Sequence, residues 1–294
     1  MEKISIIGAG TMGNGIAQVF AMNNYKVNLI DLNLDSLSKA IGTISINLDR
    51  MIKKDVISED QKLLFLDNLS TSTNIADAKS SKLVIEAVTE NIEIKLKIFQ
   101  ELDQLCSSET ILATNTSSIS ITEIAAATNR EDKVIGMHFM NPVPIMKLVE
   151  VIRGRKTSDQ TTNTIIELSE KIKKIAIEVN DYPGFIANRI LLPMINEAIE
   201  ALHTGVAKVQ NIDSIMKIGM GHPMGPLQLA DFIGLDVCVS ILEVMHEGLK
   251  DIKYAPSDLL KNMVKSGKLG VKSGEGFYDY SNGKKAQIVA KQFQ

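Results

Sequence analysis

Three glycines near the start of the chain, Gly8-Ala9-Gly10-Thr11-Met12-Gly13, stand between an apolar run, Lys3 to Ile7, and a helical pattern, Gly13 to Asn23. A strand that turns this tightly into a helix leaves few folds open. Gly8 permits the turn, Gly10 lets the backbone approach a pyrophosphate, and Gly13 allows close helix-strand packing, with phosphates at the positive helix end. A second strand, Lys26 to Asp31, ends on a carboxylate twenty-three positions after Gly8. There Asp31 can accept from both ribose hydroxyls of a dinucleotide and repel a 2′-phosphate. No arginine follows in Leu32-Asn33-Leu34, so NAD is expected over NADP.

The first half of the chain continues to alternate β-branched runs with amphipathic helices, the pattern of a parallel sheet covered by helices. Strands are expected at Lys82 to Val88, Thr110 to Asn115, Lys133 to Phe139, Lys147 to Ile152 and Ile175 to Val179. Helices are expected at Asn91 to Leu105, Ile121 to Ala127 and Thr161 to Lys174. Leu34 to Leu66 runs helical for longer than one crossover needs and breaks near Asp55 to Glu59, which suggests a helical hairpin inserted at about 34–66. After Asp181-Tyr182-Pro183-Gly184 the strands are expected to stop, because Pro183 cannot donate to a ladder and Gly184 frees the backbone. The expectation is a Rossmann-type α/β NAD-binding domain over 1–183 and an all-α domain over 184–294.

Composition excludes several classes. The 32 basic and 35 acidic residues give a net charge of -3, too even for a nucleic-acid or membrane surface. No apolar run reaches the ~20 residues of a membrane span. Met1-Glu2-Lys3 leads at once into a strand, which reads as leaving no room for a signal peptide. Cys106 and Cys238 are far apart, without other ligands nearby, so neither a disulfide framework nor a metal site is expected, and a cytoplasmic setting fits best.

A nicotinamide cofactor needs a group that takes or gives a hydroxyl proton, and histidine has the pKa for it. Of the four histidines, His203 and His246 sit on helical patterns and His222 in a proline turn. His138 lies at the end of a strand in the nucleotide half, where open α/β sheets place their ligands. Glu150 is the lone carboxylate in the apolar strand Leu148-Val149-Glu150-Val151-Ile152, an expensive place unless the charge is paired. Across the turn Asn141-Pro142-Val143-Pro144 it can face His138, fix its tautomer and stabilise its imidazolium. Ser117 follows another strand on the same rim, placed to bond the reacting oxygen or to cap a helix. Asn188 is an amide among Phe185, Ile186, Ile190 and Leu191, which calls for a reason.

The stretch Gly136-Met-His138-Phe-Met-Asn141-Pro-Val-Pro144 and its continuation to Ile152 resemble the signature of the L-3-hydroxyacyl-CoA dehydrogenases. Asn115-Thr-Ser117-Ser118, Pro183-Gly-Phe-Ile-Ala-Asn188-Arg189, His222-Pro-Met-Gly-Pro226 and Gly274-Glu-Gly-Phe-Tyr278 match the same family in order. The resemblance implies that His138 is the general acid-base, that Glu150 orients it, and that Ser117 and Asn188 hold the substrate oxygen. It further implies Glu90, Lys95, Asn141 and Lys272 around the nicotinamide end, and Lys54 at the coenzyme A phosphates. Asn47 stands where relatives carry a serine contacting coenzyme A.

The expected reaction is the NAD-linked interconversion of (S)-3-hydroxyacyl-CoA and 3-oxoacyl-CoA, with 3-hydroxybutyryl-CoA and acetoacetyl-CoA as the pair, in fatty-acid or butyrate metabolism. An acyl-CoA substrate and self-association through the second domain, as a homodimer or larger, are the partners expected. Two alternatives stay open: the same scaffold acting on a sugar acid or dicarboxyl-CoA, and a non-catalytic nucleotide-binding relative.

Overall fold

In the computed structural model, which describes residues 3–283 and 288–294, the chain forms two compact units, Met1–Tyr182 and Pro183–Gln294. Met1, Glu2 and part of the tail therefore lie outside the described residues. The first unit begins β1 (Lys3–Ile7), α1 (Thr11–Met22), β2 (Lys26–Ile30), α2 (Leu34–Ile52), α3 (Glu59–Asp67) and β3 (Leu69–Ser72). It continues β4 (Leu83–Glu86), α4 (Ile92–Leu105), β5 (Ile111–Thr114), α5 (Ile121–Ala126) and β6 (Val134–Phe139). It ends with β7 (Leu148–Arg153), α6 (Asp159–Lys171) and β8 (Ile175–Asn180).

These strands make one eight-stranded sheet in the order β3-β2-β1-β4-β5-β6-β7-β8. Every pair from β3 to β6 is parallel, β7 runs antiparallel to β6, and β8 is parallel to β7. Strands such as β1 and β4 are buried along nearly their whole length because helices cover both faces. The chain order reverses between β1 and β4, and that switch point is where an open sheet of this kind leaves a crevice for a ligand. The Rossmann expectation holds, and the reversed β7 makes the sheet mixed.

Local chemistry sets the helix starts. Asn33 accepts from the backbone of Asp35 and Ser36 to open α2, and Ser58 with Gln61 forms a capping box on α3. The inserted helical hairpin is thus α2 and α3, broken at residues 53–58. Ser158 caps α6, so that helix starts two residues before the expected Thr161 and ends three before Lys174.

The second unit contains α7 (Ala187–His203), α8 (Val209–Gly219), α9 (Pro226–Ile233), α10 (Leu235–Leu249) and α11 (Asp258–Lys265). The expectation that strands stop here needs one correction. A short antiparallel pair, β9 (Tyr278–Asp279) with β10 (Ile288–Val289), follows the helices. The segment around β9 is built on buried acids. Asp231 accepts from the backbone N–H of Phe277 and Tyr278 and from the Tyr280 hydroxyl, at 2.9, 3.0 and 3.1 Å. Asp213 accepts from the backbone of Leu227 and Gln228 and from the Tyr278 hydroxyl. A Cβ on Gly276 would sit 1.9 Å from Asp231 Oδ1, so the Gly-Glu-Gly-Phe-Tyr motif is a wrapping around that carboxylate. No described helix is long and apolar enough to cross a membrane.

Candidate active site

The glycine turn carries the geometry its spacing implies. Gly8 has φ +104°, which a side chain would strain. A Cβ on Gly13 would lie 1.8 Å from the Gly8 carbonyl oxygen, so helix and strand approach as closely as they do only with glycine there. A Cβ on Gly10 would meet nothing within 4 Å. That side of the turn is open space at the start of α1, the cradle a pyrophosphate fills. Ala9, Thr11 and Met12 complete the turn and first helical residues.

Asp31 is half-buried just past β2. Its Oδ2 accepts from the Ala9 N–H at 2.7 Å and its Oδ1 from the Asn33 N–H at 2.9 Å. Each oxygen retains acceptor capacity for a ribose hydroxyl. Beside it opens a cavity of about 540 Å³ lined by Asp31, Leu32, Ile75, Val88, Ile94 and Ile98. Largely apolar walls, with the carboxylates of Asp31 and Glu101 among the lining groups, suit an adenine ring and its ribose. These residues fit a dinucleotide. The apolar wall gave no signal in the sequence, because its members come from four separate segments.

The other side of the switch point carries the titratable groups. His138 and Glu150 are paired across the antiparallel β6–β7 ladder, directly opposite each other. His138 Nδ1 lies 2.8 Å from Glu150 Oε2, and both side chains are buried. A carboxylate can only accept, so Nδ1 carries the proton and donates it to Glu150. The strand ends are tied around the pair: Asn115 accepts from the Phe139 N–H at 3.0 Å. The turn holding Asn141 and the cis Asn141–Pro142 bond is anchored by Lys174, whose ammonium donates to the carbonyls of Val143 and Met146. Burial pushes the Lys174 amine below its ordinary value.

Ser117 sits on the turn after β5, and that turn converges on Glu90. Thr116 Oγ1, Ser117 N and Oγ, and Ser118 N and Oγ all lie 2.6–3.1 Å from Glu90 Oε1. One oxygen has room for only some of these donors at once. Burial pushes the Glu90 carboxyl up, but the Lys95 ammonium and these donors outweigh it and hold it below the ordinary carboxylate range. Lys95 is fully buried and donates to Glu86 Oε1 at 2.7 Å, with Glu90 Oε2 at 3.6 Å. Glu86 also accepts from the Val88 N–H and the Thr114 hydroxyl. Sequence reading passed over Glu86, although a carboxylate in the apolar run Leu83-Val84-Ile85-Glu86 posed the same question as Glu150.

The remaining expected residues lie elsewhere. Asn47, on α2, donates to Gln18 on α1 at 3.1 Å and accepts from Arg50. Lys54 is exposed in the turn that follows α2. Asn188 and Lys272 belong to the second unit: Asn188 is buried in the first turn of α7, and the Lys272 ammonium pairs with Asp236 on α10. Of the other histidines, His246 Nδ1 lies 3.1 Å from the Asp251 carbonyl, and His203 stands 3.9 Å from Glu200. Both cysteines are buried, which raises their thiol pKa values, that of Cys238 to about 12. Among the described residues no cluster of side chains could hold a metal ion.

Comparison with known proteins gives a consistent answer over nearly the whole chain. Residues 3–182 match the family described as 3-hydroxyacyl-CoA dehydrogenase, NAD binding domain, and residues 184–280 match its C-terminal domain. The chain is 52% identical to a probable 3-hydroxybutyryl-CoA dehydrogenase of Bacillus subtilis, over 95% of this chain and 98% of that one. It is 50% identical to a 3-hydroxybutyryl-CoA dehydrogenase of Bradyrhizobium diazoefficiens, over 97% of each. The crystal structure of (S)-3-hydroxybutyryl-CoA dehydrogenase PaaH1 from Ralstonia eutropha superposes with a TM-score of 0.93 at 47% identity, covering 96% of this chain and 99% of that one.

Proposed function

We propose that this chain, which belongs to the 3-hydroxyacyl-CoA dehydrogenase family, interconverts (S)-3-hydroxyacyl-CoA and 3-oxoacyl-CoA with NAD, and that its pair is 3-hydroxybutyryl-CoA and acetoacetyl-CoA. The observation that carries the reading is the buried His138–Glu150 hydrogen bond at the carboxyl edge of the sheet. With Nδ1 donating to Glu150, the substrate proton is handled at Nε2. His138 takes that proton in oxidation and returns it in reduction, and the Glu150 carboxylate stabilises the imidazolium formed between. Ser117 and, from the second unit, Asn188 are proposed to hold the reacting oxygen. NAD, when bound, supplies the hydride acceptor or donor.

The glycine turn and Asp31 are proposed to hold the pyrophosphate and adenosine ribose, with Glu90, Asn141 and Lys272 toward the nicotinamide end and Lys95 behind Glu90. Lys54 is proposed to meet the coenzyme A phosphates. The Asn47 amide, already engaged by Gln18 and Arg50, can add a hydrogen bond there through its remaining acceptor and donor capacity. Exposed Ile215, Ile218 and Met220 support self-association through the second unit. Two buried free cysteines agree with a cytoplasmic setting.

The test is NADH oxidation followed at 340 nm with acetoacetyl-CoA and with longer 3-oxoacyl-CoA substrates. Fastest turnover is expected with acetoacetyl-CoA. Preference for a longer chain would revise the substrate, and no turnover with any 3-oxoacyl-CoA would remove the reading.

A further inference from the structure

Two carboxylates and one ammonium meet beneath the turn that carries Ser117. Glu86 at the end of β4 and Lys95 on α4 are fully buried, and Glu90 lies at the rim. Lys95 bridges the two acids, at 2.7 Å from Glu86 and 3.6 Å from Glu90. The other donors around them are neutral: Val88 N–H and Thr114 hydroxyl on Glu86, and the groups of Thr116, Ser117 and Ser118 on Glu90. Hydrogen bonds of this kind favour the ionised carboxylate without cancelling its charge. One negative charge is left over.

Its place in the fold gives that charge a consequence. A dinucleotide crosses the carboxyl edge of such a sheet at the switch between β1 and β4. Asp31 and the apolar cavity lie at the end of β2, so the adenosine half belongs there. The nicotinamide half then falls on the side of β4, β5 and β6, where Glu86, Glu90, Ser117 and His138 stand. The nicotinamide ring is positively charged when oxidised and neutral when reduced. A fixed negative charge beside it stabilises the first and is nearly indifferent to the second. On β7 and beyond it the Glu150 carboxylate and the Lys174 ammonium bring charges of opposite sign, which leaves the excess of the triad in place.

We infer that the Glu86–Lys95–Glu90 triad, through its one excess negative charge, sets the relative affinity of this site for NAD⁺ and NADH in favour of NAD⁺. The inference rests on the dehydrogenase reading above. Glu86 is in this sense a positioning residue: it is fully buried, so it acts on the cofactor through Lys95 and Glu90.

The ratio of dissociation constants isolates the effect, since anything that merely loosens the site weakens both forms alike. NAD⁺ and NADH binding would be measured by calorimetry, without acyl substrate, for the wild type, Glu86→Gln, Glu90→Gln and Lys95→Arg. The ratio Kd(NAD⁺)/Kd(NADH) is expected to rise about tenfold in each glutamine variant and to stay put in Lys95→Arg, which keeps the charge. An unmoved ratio in the glutamine variants, with both affinities falling together, overturns the inference. Should Glu86→Gln fail to fold, Glu90→Gln at the rim carries the test by itself. Wild-type turnover of acetoacetyl-CoA separates the two levels: turnover with an unmoved ratio removes only the charge effect, whereas a wild type that binds neither nucleotide removes the dehydrogenase reading with it.

Discussion

Glu90 in the first unit and Asp231 in the second are carboxylates with similar hydrogen-bond donors and opposite outcomes. Asp231 is buried and Glu90 lies partly exposed at the rim, its side chain 36% exposed, and each accepts from backbone N–H groups and a hydroxyl. Yet Glu90 is held below the ordinary carboxylate range, while burial pushes Asp231 up to about 7 against the pull of its three donors. Asp213 behaves like Asp231, its carboxyl raised by burial. Besides exposure, what differs is the nearest charge: Glu90 has the Lys95 ammonium, and Asp231 has another acid, Asp213. Donor count does not decide whether such an acid stays ionised; burial and the nearest counter-ion do. The first unit keeps fixed charges at its strand ends, where proton and hydride chemistry can use them, and the second uses its acids to stitch loops together.

If that division is right, losses at the strand ends should appear in rate and losses in the second unit should appear in stability. His138→Ala should lower kcat by roughly a hundred- to ten-thousandfold while NADH affinity stays close to wild type. A folded variant with near-normal kcat would end the assignment. Asp231→Ala strands the Phe277 and Tyr278 N–H groups and the Tyr280 hydroxyl, and should cost about 3 kcal/mol or more in chemical denaturation. A cost below about 1 kcal/mol would break the comparison from its other side.

Neutralising Glu150 should have a smaller effect than either. Glu150→Gln keeps the shape but cannot stabilise an imidazolium, so kcat should drop by tens of times, about 2 kcal/mol of barrier, with an altered pH–rate profile and an unchanged melting point. An unaltered profile would show that the carboxylate only packs.

The two acids should also answer pH with opposite signs. Because Asp231 binds its proton more tightly in the folded chain, its contribution is complete below about pH 4 and is lost as pH rises towards 7. Glu90, with its value lowered, contributes above the ordinary carboxylate range and loses that contribution as pH falls. Between pH 5 and pH 8 the stability gap between wild type and Asp231→Asn should narrow by about 2 kcal/mol. A gap that is flat with pH would mean that Asp231 is ionised throughout.

The smallest effect is expected at the adenosine ribose. NADH should be preferred over NADPH by about tenfold in kcat/KM, and Asp31→Ser should shrink that preference. Equal values in the wild type would show that Asp31 does not face the ribose.

How far these groups could be read from sequence followed the range of the interactions that place them. The glycine turn is local, and Gly8, Gly10 and Gly13 announce it by spacing alone. Glu150 was legible because a lone charge in an apolar strand demands a partner and a proline turn brings His138 opposite. Glu86 posed the same demand, but its partner Lys95 comes from the following helix, where a lysine looks like any solvated one. β3 escaped notice because Leu69-Ser70-Thr71-Ser72 is an edge strand with little apolar pattern. β9 and β10 escaped because two-residue strands nine residues apart carry no period, and Asp231 because a helical acid beside Phe232 reads as surface.

The antiparallel turn from β6 into β7 has one more consequence, which concerns what can vary. His138 and Glu150 are held opposite each other by ladder hydrogen bonds, so their pairing does not rest on the composition of the connecting residues 140–147, whose own shape is tied by Lys174 and by the buried Val143. A slip of one residue in the pairing would instead turn Glu150 to the other face of the sheet. Drift in this region is therefore freer at exposed loop positions such as Ile145 than in register, and an engineered insertion should be fatal one residue inside either strand.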